Sequence, residues 1–307
     1  MFFADLHCDF LSKAVHGASF ERPGNGQAIS RQAVTSGDLR LLGMAAFCGD
    51  SRILSREEML ASVKAQIEAY ETVTQQRDDG RYLAGTQARA LLTLEGLDYL
   101  QSVQELEEFL QKGVASVGIM WNRASALGGS VHEDASLTAL GRETVLFLER
   151  CGVKVDLAHA GRRTFYDVMD CCERPFVSHS NVYSVTEHPR NLDDAQIRML
   201  IERRGLLGIS FYVPFVGGDT YGQLRRHIEH VLDLGGQDIL AFGSDFDGCD
   251  QTVRGLDTAG KYNAFAEYLR LKGMSSVTLE KLCFANAAAF FHGDNIFQQA
   301  EKTKIQQ

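Results

Sequence analysis

The amino-acid sequence predicts an α/β fold, a (β/α)8 TIM barrel of the metal-dependent hydrolase type, and two observations carry the barrel. Short apolar runs alternate with longer amphipathic segments along the whole 307-residue chain, and eight such runs can be counted. Neither GxGxxG nor GxxxxGK[ST] occurs, so the rival arrangement, an open doubly wound sheet, lacks its usual phosphate-binding loop.

The first strand is expected over residues 2–7, where an apolar run leads into His7. The others are expected at 41–47, 90–94, 115–121, 153–159, 175–179, 205–211 and 239–245. Helical patterns fall between them at 55–76, 103–111, 140–151, 195–204, 221–234 and 264–272, and 278–291 closes the series. Ser55-Arg56-Glu57-Glu58 has the Ser-x-x-Glu form of a capping box, which fixes one helix start. With four prolines and no low-complexity or Gly/Ser-rich linker, one domain over 1–307 is the expectation.

Composition narrows the function classes. Hydrophobic residues make up 45% and charged residues 23%, the balance of an ordinary globular protein. The net charge of −9 gives no basic footprint for a nucleic-acid backbone or an anionic membrane surface. No apolar run is long enough to span a bilayer, the opening residues do not resemble a signal peptide, and the polar tail 301–307 does not resemble a GPI signal. The seven cysteines are odd in number, scattered and without a CxxC spacing, so reduced thiols in a cytoplasmic protein are expected.

The ionisable residues fall in an informative pattern. His7 and Asp9 end the first strand, Glu95 the third, His159 the fifth, His179 the sixth and Asp245 the eighth. In a barrel the carboxyl ends of the strands form one rim, so these residues would converge on one pocket. Burying several carboxylates and imidazoles together is costly without a cation, and the set reads as a metal site. His7 and Asp9, two apart in an extended segment, would point to one face and chelate together. Imidazole mixed with carboxylate suits zinc, or another divalent transition metal, better than calcium or magnesium. Taken singly, each residue has a plainer reading as a strand-end polar group or a hydrogen-bonded core histidine. Their joint placement at successive strand ends is what favours the metal.

Other residues carry less. His227 and His230 are expected on a solvated helix face, Glu105, Glu107 and Glu108 likewise, and His16, His132, His188 and His292 have no partner pattern. Cys8 should face away from the site and serve packing, while Cys249 is undecided. No GxSxG elbow or HExxH helix is present, which removes serine-hydrolase and zincin readings.

The motifs resemble those of the membrane (renal) dipeptidase family, peptidase family M19. Asp156-Leu157-Ala158-His159 is similar to the family's DLSH, and Ser178-His179-Ser180-Asn181 with His188-Pro189-Arg190-Asn191-Leu192 to its SHSN…HPRNL. Gly243-Ser244-Asp245-Phe246-Asp247-Gly248 matches GSDFDG, and Asp5-Leu6-His7-Cys8-Asp9 and Leu94-Glu95-Gly96 fit the first and third strand ends. The resemblance implies a dipeptidase, with a D-residue open at the C-terminal position of the substrate and a homodimer open as its assembly. It implies two Zn2+ ions per chain with a bridging hydroxide, His7 and Asp9 on one ion, His159 and His179 on the other, and Glu95 on both. Asp245 would be the acid/base residue, with Asp247 on the same face as its competitor. Arg190 would hold the substrate carboxylate, a natural task for a bidentate guanidinium. Asp156 would stand behind a ligand histidine.

One departure stands out. The family's best-known members carry a histidine after the fourth strand, where this chain has Trp121. An indole N–H donates one hydrogen bond and carries no charge, so Trp121 would either bond the substrate or wall the pocket. Two rivals to the dipeptidase reading remain at this point: a binuclear hydrolase of another small amide, lactone or ester, and a barrel that binds metal or ligand without turnover.

Overall fold

Eight parallel strands and one inserted hairpin make up the sheet in the computed structural model, which describes residues 1–292. The strands are β1 (Phe3–Cys8), β2 (Leu39–Phe47), β3 (Thr74–Arg77), β4 (Gly80–Leu83), β5 (Arg89–Glu95), β6 (Val114–Gly118), β7 (Lys154–Asp156), β8 (Val177–Ser180), β9 (Leu207–Ile209) and β10 (Leu240–Phe242). Parallel pairing runs β7–β6–β5–β2–β1–β10–β9–β8. The remaining seam, β7 to β8, narrows to one parallel bridge between Asp156 and Phe176. There the Phe176 amide donates to the Val155 carbonyl at 3.1 Å and the Leu157 amide to the Phe176 carbonyl at 2.8 Å. The circuit is that of a (β/α)8 barrel, and each predicted strand range overlaps one of its eight parallel strands.

The barrel is filled in two layers. Ala4, Leu6, Leu41, Leu91, Ala115, Phe176, Leu206 and Ala241 pack inside it, and Phe290 and Phe291 from the helix Asn286–His292 join that cluster. A larger apolar layer lies between the strands and the surrounding helices. Both faces of β1, β5 and β6 are therefore buried, as parallel strands under helical crossovers require. At Gly243 a Cβ would stand 1.7 Å from the Ser178 carbonyl oxygen, and at Gly208 1.9 Å from the same atom. Only glycine lets the backbones beside β8 come so close.

Several parts differ from expectation, among them the short helices Phe10–Val15, Arg31–Ser36 and Val213–Val216, which no predicted range covers. The helix begins at the capping box of Ser55 and Glu58 as predicted, but ends at Val73 because the chain turns into the β3–β4 hairpin. The polar run Thr74-Gln75-Gln76-Arg77 has no apolar alternation to announce a strand. A helix at Arg162–Met169 was not anticipated, although Phe165, Val168 and Met169 carry its i, i+3, i+4 apolar face. The closing run is split into Ser276–Glu280, a π-helical turn Lys281–Ala285 and Asn286–His292, with the Asn286 amide donating to the carbonyls of Gln237 and Leu240. Among the described residues no helix is long and apolar enough to cross a membrane. The tail 301–307 and the His292 side chain lie outside the described residues.

The joint between β1 and β10 rests on a buried carboxylate. Asp5 accepts from the Ser244 amide at 2.8 Å, the Ser244 hydroxyl at 2.5 Å, the Tyr262 hydroxyl at 2.5 Å and the His7 amide at 3.2 Å. Asp5→Ala strands these donors without water, so it should lower the unfolding free energy by about 3 kcal/mol or more, with Asn losing less. Denaturant unfolding of the variants checks this; an unchanged midpoint for Asp5→Ala would show that the joint does not depend on Asp5.

Candidate metal centre and active site

The strand ends bring the predicted ionisable residues together. His7, Glu95 and His179 stand in β1, β5 and β8, whereas His159 and Asp245 lie three residues beyond β7 and β10. The chain has left the sheet there, with left-handed φ of 69° at His159 and 64° at Asp245. Asp9 is also outside the strand, as the N-cap of the helix Phe10–Val15 with a φ of −100°. It still meets His7, its Oδ2 being 3.4 Å from His7 Nε2, so the pairing expected from extended geometry is reached by a helix start.

Around the centre, His7 Nε2 faces Glu95 Oε2 and Asp245 Oδ1, each at 3.8 Å. His159 Nε2 lies 2.9 Å from Glu95 Oε1, His179 Nε2 lies 3.7 Å from that oxygen, and the two Nε2 atoms are 3.1 Å apart. Two groups are close enough to share an ion: His7 with Glu95 and His179, and His7 with Asp9 and Asp245. At Gly248 a Cβ would fall 2.0 Å from Asp9 Oδ2 and 2.8 Å from Asp245 Oδ1, so this glycine leaves room for both carboxylates.

The outer edges of the rings are already engaged. His159 Nδ1 meets Asn122 Oδ1 at 2.9 Å and so donates to it, which leaves the Nε2 lone pair facing inward. His179 Nδ1 meets the Ser178 hydroxyl at 2.8 Å. Asp156 acts behind this pair through backbone, accepting from the amides of Ala158 at 3.0 Å and Ser178 at 2.9 Å. Neither Asn122 nor Ser178 was singled out from the sequence, though both adjoin residues that were.

Electrostatics bear on what the centre can hold. Burial pushes the Glu95 and Asp245 carboxyls up, and Asp9 adds to both by repulsion. Burial pushes His159 and His179 well below the usual imidazole range. Burial also opposes a charge on His7, but the carboxylates of Glu95, Asp9 and Asp245 outweigh it and raise His7. Even so, His7 Nε2 is a buried nitrogen with no hydrogen-bond partner. Inward imidazole nitrogens among crowded carboxylates fit divalent cations, which would satisfy both at once.

Across a cavity of about 420 Å³ stands Arg190. Its guanidinium is buried, lies 5.1 Å above the Phe215 ring, and reaches the His179 carbonyl only at 3.5 Å, while its Nε is unpartnered. Burial pulls it down to about 10, with Asp245 and Glu95 holding it up. Trp121 lines the same cavity, 4.7 Å from the Phe47 ring and 6.3 Å from His159. Tyr212 and Phe215 also line it, and the sequence reading missed both. Asp247, the competitor of Asp245, is engaged elsewhere. It accepts from Lys13 at 3.0 Å and from the amides of Ala28 and Ile29 at 2.9 and 3.1 Å, tying the 27–29 segment to the rim.

The remaining assignments are mixed. Cys8 is buried in the outer core as expected, Cys249 lines the cavity, and all seven cysteines are free. His230 pairs with Asp194 at 2.8 Å near the surface. His227 does not lie on a solvated face: it is 0% exposed and bonded at both ring nitrogens. The helical spacing was right, but the inward stripe of Leu224, Ile228 and Val231 includes position 227.

The chain is similar to known proteins of one family. The profile of the membrane dipeptidase family, peptidase family M19, matches residues 6–304. An uncharacterized dipeptidase of Schizosaccharomyces pombe is 33% identical over 185 residues, covering 56% of this chain and 44% of its own. Dipeptidase tcpJ of Claviceps purpurea is 31% identical over 207 residues, covering 64% and 49%. Those alignments span about half the length of each relative. Among solved structures, a metallo peptidase from Rhodobacter sphaeroides, liganded with a phosphinate mimic of the dipeptide L-Ala-D-Ala, has a TM-score of 0.84 at 21% identity, covering 95% of this chain and 99% of its own. A dipeptidase of family M19 has a TM-score of 0.83, also at 21% identity, covering 95% and 98%. With a family profile that spans nearly its whole length, this chain belongs to the membrane dipeptidase family, peptidase family M19.

Proposed function

We propose that the chain is a metallo-dipeptidase that cuts the peptide bond of dipeptides with a free C-terminal carboxylate, using two divalent ions, zinc foremost. The observation that carries this is the pairing of the ligand cluster with a buried guanidinium that has an unpartnered Nε, on the wall of one dipeptide-sized cavity. His7 and Asp9 would hold one ion and His159 and His179 the other, with Glu95 between them. Bound there, the ions would supply Lewis acidity and would lower the pKa of water from about 15.7 to about 7.

The chain's own groups would do the rest. Arg190 would fix the carboxylate and with it the register of the scissile amide over the ligand cluster. Asp245 would take a proton from the attacking water and pass it to the departing amine. Its carboxyl faces the centre, and burial raises it toward the range where such exchange is efficient. Asp247, held by Lys13 and two amides, is not free to compete. Trp121 and Phe47 would line the pocket beside His159. Acceptance of a D-residue at the C-terminal position belongs to the same proposal, supported by the ligand of the Rhodobacter sphaeroides relative.

The test is metal content per chain, paired with dipeptide hydrolysis before and after chelation and zinc return. Two ions with cleavage that is lost and restored supports the proposal; two ions with no cleavage of any dipeptide would sink it. Asp245→Ala should lower kcat on the order of 10²–10⁴-fold with both ions retained, and loss of metal instead would make Asp245 a ligand. Arg190→Ala should raise KM for dipeptides roughly 10–100-fold, the loss of a charge-assisted hydrogen-bonded contact; an unchanged KM would remove Arg190 from the binding site.

A further inference from the structure

Arg190 is held in place by very little that touches its charge. Its Nε has no partner, and its terminal nitrogen reaches the His179 carbonyl only at 3.5 Å. Its position is set by the backbone that carries it and by the Phe215 ring beneath it. These belong to two different segments, the 182–192 loop after β8 and the short helix Val213–Val216 after β9. The two must be locked together if the guanidinium is to stay aimed at the cavity.

His227 is placed to lock them. From the inner side of the helix Tyr221–Asp233, its Nδ1 accepts from the Val182 amide at 3.1 Å and its Nε2 meets the Val216 carbonyl at 3.0 Å. An amide can only donate and a carbonyl can only accept, so the ring is neutral with its proton on Nε2. Both contacts fall beside Arg190's supports. Val182 pairs with Leu192 where the loop returns, and Val216 follows Phe215. Thr186 donates to the same Val216 carbonyl at 3.0 Å, and the Asn191 amide donates to the Phe215 carbonyl at 2.8 Å.

We infer that His227 is the positioning residue of the Arg190 clamp: in its Nε2–H form it bridges the loop that carries Arg190 to the helix that carries Phe215, and so sets the affinity for substrates with a free C-terminal carboxylate. The inference rests on the proposed role of Arg190 as the carboxylate clamp. His227 touches neither the cavity nor the ligand cluster, so it acts on binding rather than on the chemical step.

The test is a mutant cycle on the metal-loaded protein with one dipeptide. His227→Leu keeps the apolar packing and removes both hydrogen bonds. It should raise KM about tenfold, within the range that small misplacements of a positioning group produce, and change kcat less than threefold. His227→Asn, whose amide oxygen can accept from Val182, should recover part of that loss. In the Arg190→Ala background His227→Leu should raise KM no further, since coupled residues are not additive. A fall in kcat at unchanged KM, or additive effects in the double variant, would overturn the inference. Arg190→Ala alone leaving KM unchanged would instead overturn the clamp reading on which it depends. Circular dichroism melts of each variant separate misfolding from misplacement: His227→Leu unfolding at assay temperature leaves His227→Asn to decide, and wild-type KM in the folded Asn variant, with its Nε2 link gone, would overturn the bridge.

Discussion

The structure around the barrel mouth depends on one electrostatic constraint. Three imidazoles and three carboxylates are turned toward one another with little exposure to solvent and, in the case of His7 Nε2, no hydrogen-bond partner. Repulsion and desolvation would spread such a cluster apart unless the surrounding chain held it or cations neutralised it. The frame that holds it is made of groups that touch only the outer edges of the cluster. Asn122 and Ser178 fix two rings, and Asp156 fixes the strand ends that carry them. Asp5 joins the strand of His7 to the turn of Asp245, and Asp247 anchors the segment across the rim.

The same constraint accounts for the backbone. His159, Asp245 and Asp247 adopt left-handed φ values, which cost L-residues energy and persist only where the surroundings enforce them. Each of the three lies where the chain leaves the ladder and must turn a side chain toward the mouth or the rim. Continued β pairing would send alternate residues inside and outside the barrel. The break in geometry brings residues from the ends of β7 and β10 to the same centre. A glycine at 248 then leaves the space between Asp9 and Asp245 open.

This explains why the fold was legible in the sequence and the site nearly so. Parallel barrel strands are buried on both faces, so they appear as continuous apolar runs, and all eight could be found. The β3–β4 hairpin is polar and partly exposed, so no apolar signal marked it. The clustered ionisable residues could be found because such groups at the ends of apolar strands are costly without a purpose. Their supporting residues could not, because Asn122, Ser178 and Asp5 resemble ordinary strand-end polar residues until their partners are known. Competition between Asp245 and Asp247 was also undecidable from spacing alone. It turns on Lys13 and the amides of Ala28 and Ile29, more than 200 positions away in sequence.

His227 shows the same limit from the other side. A histidine at i, i+3 from another on an amphipathic helix looks solvated, and His230 is indeed near the surface. The assignment of His227 depends on whether the apolar stripe widens by one position, which helical periodicity does not resolve. Once buried, the ring must satisfy both nitrogens, and the partners available are a donor on one side and an acceptor on the other. That asymmetry selects a neutral tautomer, and burial lowers its pKa to about 4, with Arg226 and His230 adding to it against the hydrogen bond to Val216. A fixed, uncharged strut between the loop that carries Arg190 and the helix that carries Phe215 is the physically consistent arrangement, because an imidazolium would turn a second N–H onto the Val182 amide.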